Sequence, residues 1–232
     1  MKRKYFNNSI LFSAMAALLI LAGCEKESNN EPRLELEFVT VKSGNVLNQA
    51  KAMNGELMFS SGSIMFDEVE FEAEQGDDLL EIEFERDGDV ELDFATGNTN
   101  PDISNITIPA GTYEEVEVEL GLKDDGAMPS IVMEGVYTDL EGTEHQVRFE
   151  HNSDETFEVE LEGSIVFEAD ASFIAQVTID PASWFNGTDD QDFTSATKNM
   201  DGVIVISSSS NTSIYDMVVS ALEMAGEVEY DY

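Results

Sequence analysis

The sequence predicts an all-β protein, an antiparallel β-sandwich with a single C-terminal helix. Three observations carry that reading. Apolar residues and carboxylates alternate strictly along six stretches, as in Leu80-Glu81-Ile82-Glu83-Phe84-Glu85. Breaks rich in Gly and Asp separate them: Gly76-Asp77-Asp78, Asp87-Gly88-Asp89, Asp124-Asp125-Gly126 and Glu141-Gly142-Thr143. Only beyond Asp180-Pro181 does an apolar spacing of helical period appear.

Side chains on a strand point alternately to opposite faces. The alternating stretches 34–38, 69–74, 80–85, 90–94, 116–120 and 157–162 therefore each set an apolar face against a carboxylate face. Glu is a poor strand former, so pattern overrides propensity here. Further strands are expected at 106–108, 131–137, 146–150, 165–168 and 173–179. Many short strands at this spacing indicate stacked antiparallel sheets, one face packed inward and the other wetted. A short helix is expected near 191–197, and Val203-Ile204-Val205-Ile206 reads as a buried strand. Ile214, Met217, Val218, Ala221, Leu222 and Ala225 share one helical face, which predicts a helix over 213–225. Asn211, Thr212 or Ser213 could cap its start, and Gly226 stands where a helix stop belongs. Residues 227–232 are expected to fray, and no period of 20–50 residues is present.

The first 23 residues have a different composition. Met1-Lys2-Arg3-Lys4 is a positive patch, and an apolar run from Ile10 to Ala22 follows, interrupted by Ser13. A charged start, an apolar run and small residues before a cut site describe a secretory signal. The run is short for a membrane span, which needs about 20 apolar residues. Leu21-Ala22-Gly23-Cys24 resembles the lipobox of bacterial lipoproteins. That resemblance implies cleavage between Gly23 and Cys24, acylation of the Cys24 thiol, and attachment to a membrane through lipid. Cys24 is the only cysteine, so no disulfide can form within the chain, and lipidation gives the lone thiol a role. Residues 24–33 then read as the lipidated cysteine and a polar tether, and 34–226 as the acidic domain. The acids after Cys24 resemble export signals that send some lipoproteins of the Bacteroidetes to the outer face of the outer membrane. The expected location is therefore the outer membrane, facing the periplasm or the cell surface, with the surface favoured.

Ile108-Pro109-Ala110-Gly111-Thr112-Tyr113 adds a second resemblance. It is similar to the "pAGtY" turn and strand of uncharacterised β-sandwich lipoproteins of the Bacteroidetes. Ile179-Asp180-Pro181 with Trp184-Phe185, and the stretch from Asp201 to Ile206, resemble further elements of those proteins. The resemblance implies the fold class and an envelope location, and it implies no catalytic residue or ligand. On the residues alone, Pro109 removes a backbone donor and Gly111 permits φ > 0, so the chain can reverse before Tyr113.

Charge limits the partners. The chain holds 49 acidic and 11 basic residues, a net charge of −38, and loss of residues 1–23 would bring it to −41. A polyphosphate or an anionic lipid surface would be repelled, so no nucleic acid is expected. Cations, basic envelope proteins and neutral glycans remain.

Enzyme motifs are missing: there is no Gly-x-Ser-x-Gly, no phosphate loop and no His-Glu-x-x-His. His145 and His151 are the only histidines, six residues apart on one expected strand and hence on the same face. A metal or base pair is conceivable, and two solvent-facing histidines beside acids is the reading preferred. With nearly fifty acids no carboxylate pair singles itself out for hydrolysis. The expectation is a non-enzymatic binding or structural module, with a hydrolase as the last alternative.

Calcium is the one cofactor the loops suggest, because it takes six to eight oxygen ligands, often from loop carboxylates. Asp189, Asp190 and Asp192 form one candidate cluster, Asn199 with Asp201 a second, and Asp87 with Asp89 a third. None completes an EF-hand, and Asp and Gly favour turns regardless. Trp184, the only tryptophan, could stack on a sugar ring or anchor the core at a strand–helix junction.

Overall fold

The structure is a computed structural model and describes residues 33–42, 55–75, 80–107, 109–123, 128–152, 156–168 and 172–225. Residues 1–32, with Gly23, Cys24, the expected leader and most of the expected tether, and residues 226–232, with Gly226 and the expected tail, lie outside the described residues. The described chain is predominantly β, with few helices and one long helix at its C-terminal end. No helix among the described residues is long and apolar enough to cross a membrane.

A small sheet joins three strands. β1 (Arg33–Thr40) pairs along its whole length with β10 (Ser172–Ile179) and over three residues with β5 (Asn105–Thr107). The large sheet is organised by β2 (Glu56–Gln75). The first half of β2 pairs with β7 (Ile131–Thr138) and its second half with β6 (Gly111–Leu122). β3 (Leu80–Asp93) lies along the other edge of β2, followed by β4 (Asn98–Asn100). β9 (Thr156–Phe167) extends the sheet beyond β6, while β8 (Glu144–His151) and β11 (Ile204–Ile206) extend it beyond β7.

The expected antiparallel arrangement holds for most pairs, but two are parallel: β1 with β10, and β11 with β8. Parallel neighbours need a long connection, and each pair is joined through several intervening elements. The expected break at Asp87-Gly88-Asp89 is not a break, because β3 runs through it. Gly88 takes φ 111° there, opposite the irregularity in β2 between Phe66 and Glu68. Likewise the two stretches expected at 157–162 and 165–168 form the single strand β9.

Beyond β10 the chain makes a short 3₁₀ helix (Pro181–Phe185), then α1 (Asp190–Thr194), and after β11 the long α2 (Thr212–Ala225). Among the described side chains of α2, Ile214, Val218 and Leu222 are the buried ones, as its periodicity requires. Phe149 of β8 is the hub beneath these elements. Its ring meets those of Trp184, Phe185 and Tyr215, and Phe185 in turn meets Phe59 and Phe193. Gly135 keeps β7 close to β2: a Cβ there would stand 2.0 Å from the Met58 carbonyl oxygen.

The turn before Tyr113 uses a different device from the one expected. Gly111 opens β6 and is not among the positive-φ glycines. The Tyr113 side chain is buried, donates its hydroxyl to the Pro109 carbonyl at 2.7 Å, and packs edge-on against Phe167.

Candidate functional site

Register turns the alternation into rows. Across β3, β2, β6 and β9, Glu85, Glu70, Glu119 and Glu158 stand in one row. Glu83, Glu72, Glu117 and Glu160 stand in the next, and Glu81, Glu74, Glu115 and Glu162 in the third. In an antiparallel sheet neighbours across strands are about 4.8 Å apart and same-face neighbours along a strand roughly 6.8 Å. On the inner strands the alternation is complete. Val69, Phe71 and Ala73 of β2 and Val116, Val118 and Leu120 of β6 are buried, while the glutamates between them, Glu70, Glu72, Glu117 and Glu119, are partly exposed. Arg148 bonds Glu150 and Glu134, and those carboxylates, Glu150 above all, push its pKa up.

The loop acids have local partners. Asp189 caps α1, its carboxylate accepting the Asp192 N–H at 3.1 Å while the Asp192 carboxylate accepts the Asp189 N–H at 2.9 Å. This is a capping box. Asp190 accepts the Tyr137 hydroxyl at 2.7 Å and the Leu140 N–H at 3.1 Å. Asn199 accepts the N–H groups of Asp201 and Val203, an Asx turn, and the Asp201 side chain is exposed. Asp89 pairs with Lys123. Among the described residues no group of three or more His, Cys, Asp or Glu is arranged to hold a metal ion.

The two histidines do share a face of β8, but it is not the solvent face expected of them. They lie in phase with Val147 and Phe149, which are buried, and His151 is itself only 4% exposed. Six residues of strand separate them by about 20 Å, too far for one metal. His151 meets the Tyr215 hydroxyl of α2 at 2.9 Å. His145 lies between Asp139 and Lys198, at 3.0 and 2.9 Å. Asp139 also accepts the N–H groups of Thr143 and Glu141. The His145 bond and these N–H donors hold its carboxyl below the usual carboxylate range.

Trp184 is half-buried and packs against the core, with its ring 6.1 Å from Phe149. A feature that alternation did not reveal is a polar groove of about 650 Å³ between β1 and residues 97–104. Glu35, Glu37, Asn98, Thr99 and Asp102 line it. The Ser104 hydroxyl and N–H bond the Asp102 carboxyl and hold its pKa down.

Comparison with protein-family models, curated proteins and solved structures returns no match.

Proposed function

We propose that this chain is an outer-membrane lipoprotein held by acyl chains on Cys24, whose acidic domain is a non-enzymatic binding or structural module of the cell envelope. The observation that carries the module reading is the set of glutamate rows across β3, β2, β6 and β9. A surface that repeats one charged group at fixed spacing suits multivalent contact with cations or basic envelope proteins. It also resists edge-to-edge association of sheets. The anchor reading rests on the charged start, the apolar run and the Leu21-Ala22-Gly23-Cys24 motif. A sandwich arrangement is supported by Phe38 of β1 stacking on Phe66 of β2, with ring centroids 6.4 Å apart.

A calcium-dependent version is the second reading. Glutamates in register on neighbouring strands, whose backbones are about 4.8 Å apart, could share one cation between them. Thermal unfolding in EDTA, then in calcium, magnesium or NaCl of matched ionic strength, separates the two. Calcium at 100 times its dissociation constant would add about 2.7 kcal/mol beyond ionic strength. A response to ionic strength alone removes the calcium reading and leaves basic proteins and glycans. Labelled fatty acid should enter the native chain and not a Cys24→Ser variant; equal labelling of both would overturn the anchor.

A further inference from the structure

His145 is shielded on β8, with only 12% of its side chain exposed, and three elements face it. Asp139, from the β7–β8 turn, meets Nε2 at 3.0 Å. Lys198, from the segment between α1 and β11, meets Nδ1 at 2.9 Å. Tyr137 of β7 stacks against the ring, and Asp190 of α1 binds the Tyr137 hydroxyl. An ammonium donates and cannot accept, and a neutral imidazole has one donor and one acceptor nitrogen. Nδ1 therefore accepts from Lys198, and the ring proton is on Nε2, donated to Asp139.

We propose that Asp139, His145 and Lys198 form a proton-operated latch between the β7–β8 turn and the segment leading into β11. A second proton on the ring occupies Nδ1. That nitrogen then cannot accept, and two cations face each other where a hydrogen bond stood. The Asp139 bond survives and strengthens, because donor and acceptor are now both charged. Acidification thus keeps the ring on the turn and releases Lys198. An ordinary imidazole titrates between about pH 5 and 8, which sets the range over which the latch is tested. The latch requires neither the anchor nor the glutamate rows, so their failure would leave it standing.

The test is nitrogen and amide NMR of the full chain between pH 8 and pH 5, with His145→Gln to assign the ring signals. At pH 8 the ring should be the Nε2–H tautomer. On acidification the backbone amides of Lys198 and Asn199 should shift with the same midpoint as the ring, and exchange of the Asn199 amide should rise severalfold after correction for intrinsic rates. Asn199 N–H bonds the Val203 carbonyl, so it reports on that segment. In Lys198→Met the ring should still titrate while the amides at 198 and 199 no longer follow it. An Nδ1–H tautomer at pH 8, amides indifferent to the ring, or unchanged coupling in Lys198→Met would each overturn the latch.

Discussion

The hydroxyl of Tyr137 donates to Asp190 across 2.7 Å and also accepts the Gly55 N–H at 3.0 Å, tying α1 to β7 and to the start of β2. The ring itself lies flat on Phe193 of α1, with centroids 4.1 Å apart. Burial and the Asp190 bond push the Tyr137 pKa well above its ordinary value. Tyr137→Phe keeps the stacking and removes the hydroxyl, leaving the Gly55 donor without its acceptor. A loss of about 1–3 kcal/mol in denaturant unfolding is expected. A raised folded pKa means the contribution is complete below the ordinary tyrosine pKa and is lost as pH rises through the folded value. The native protein should therefore weaken above roughly pH 10, and the variant less so.

Among the described residues Asn211 alone of the non-glycines has a left-handed backbone, at φ 49°. Its carbonyl accepts the N–H groups of Ile214 and Tyr215 at the start of α2, but its side chain does not cap the helix. It accepts from Thr197 N–H and donates to the carbonyls of Thr197 and Val205. Asn211→Ala loses those bonds and strains the backbone, for an expected cost of about 2–4 kcal/mol. Asn211→Gly loses the same bonds without the strain and should be about 1 kcal/mol the milder change. Equal melting of the two variants would show that the backbone angle costs nothing.

Glu119 stands in register with Glu70 on one side and Glu158 on the other. Like charges directly opposite destabilise a sheet by about 0.2–1 kcal/mol per pair. Glu119→Gln relieves two pairs and should raise the melting midpoint in low salt. The gain should fade in 1 M NaCl, where the Debye length is about 3 Å. A gain that persists at high salt would show that the effect is not charge repulsion.

These particular residues also show what the sequence discloses. The alternation announces the 116–120 stretch of β6 and the second half of β2 because each keeps one phase, whereas the irregularity between Tyr113 and Glu115 shifts the phase earlier in β6. It hides the first half of β2, where irregularities between Phe59 and Ser61 and between Phe66 and Glu68 switch the phase twice. The buried positions accordingly run Phe59, then Ile64 and Phe66, then Val69 and Phe71. α2 was legible to within a residue because its apolar face has an uninterrupted period. The burial of His151 was also available in principle, since it shares parity with Val147 and Phe149. The acids at 189, 190 and 192 were not separable by sequence, because capping a helix, bracing a tyrosine and binding a cation all call for the same carboxylate. The pairing of Glu70 with both Glu85 and Glu119 depends on strand order, which local pattern does not contain.

Asp180, where β10 gives way to the 3₁₀ helix, carries the last prediction. Burial pushes its pKa up, against the opposing pull of the Ser183 and Ala182 N–H groups, and its Oδ1 is buried without a hydrogen-bond partner. Because the folded state prefers the protonated acid, its contribution is complete below the ordinary carboxylate pKa of about 3.9 and is lost as pH rises through the folded value. Asp180→Asn keeps an oxygen for the two N–H groups and cannot ionise. Urea midpoints of the native chain and the variant, measured from pH 3 to pH 7, should diverge in the variant's favour as pH rises and then run parallel. A gap of constant size would place the cause in shape or hydrogen bonding. A gap that opens toward acid would mean that the folded state favours the carboxylate, and that the N–H donors outweigh burial.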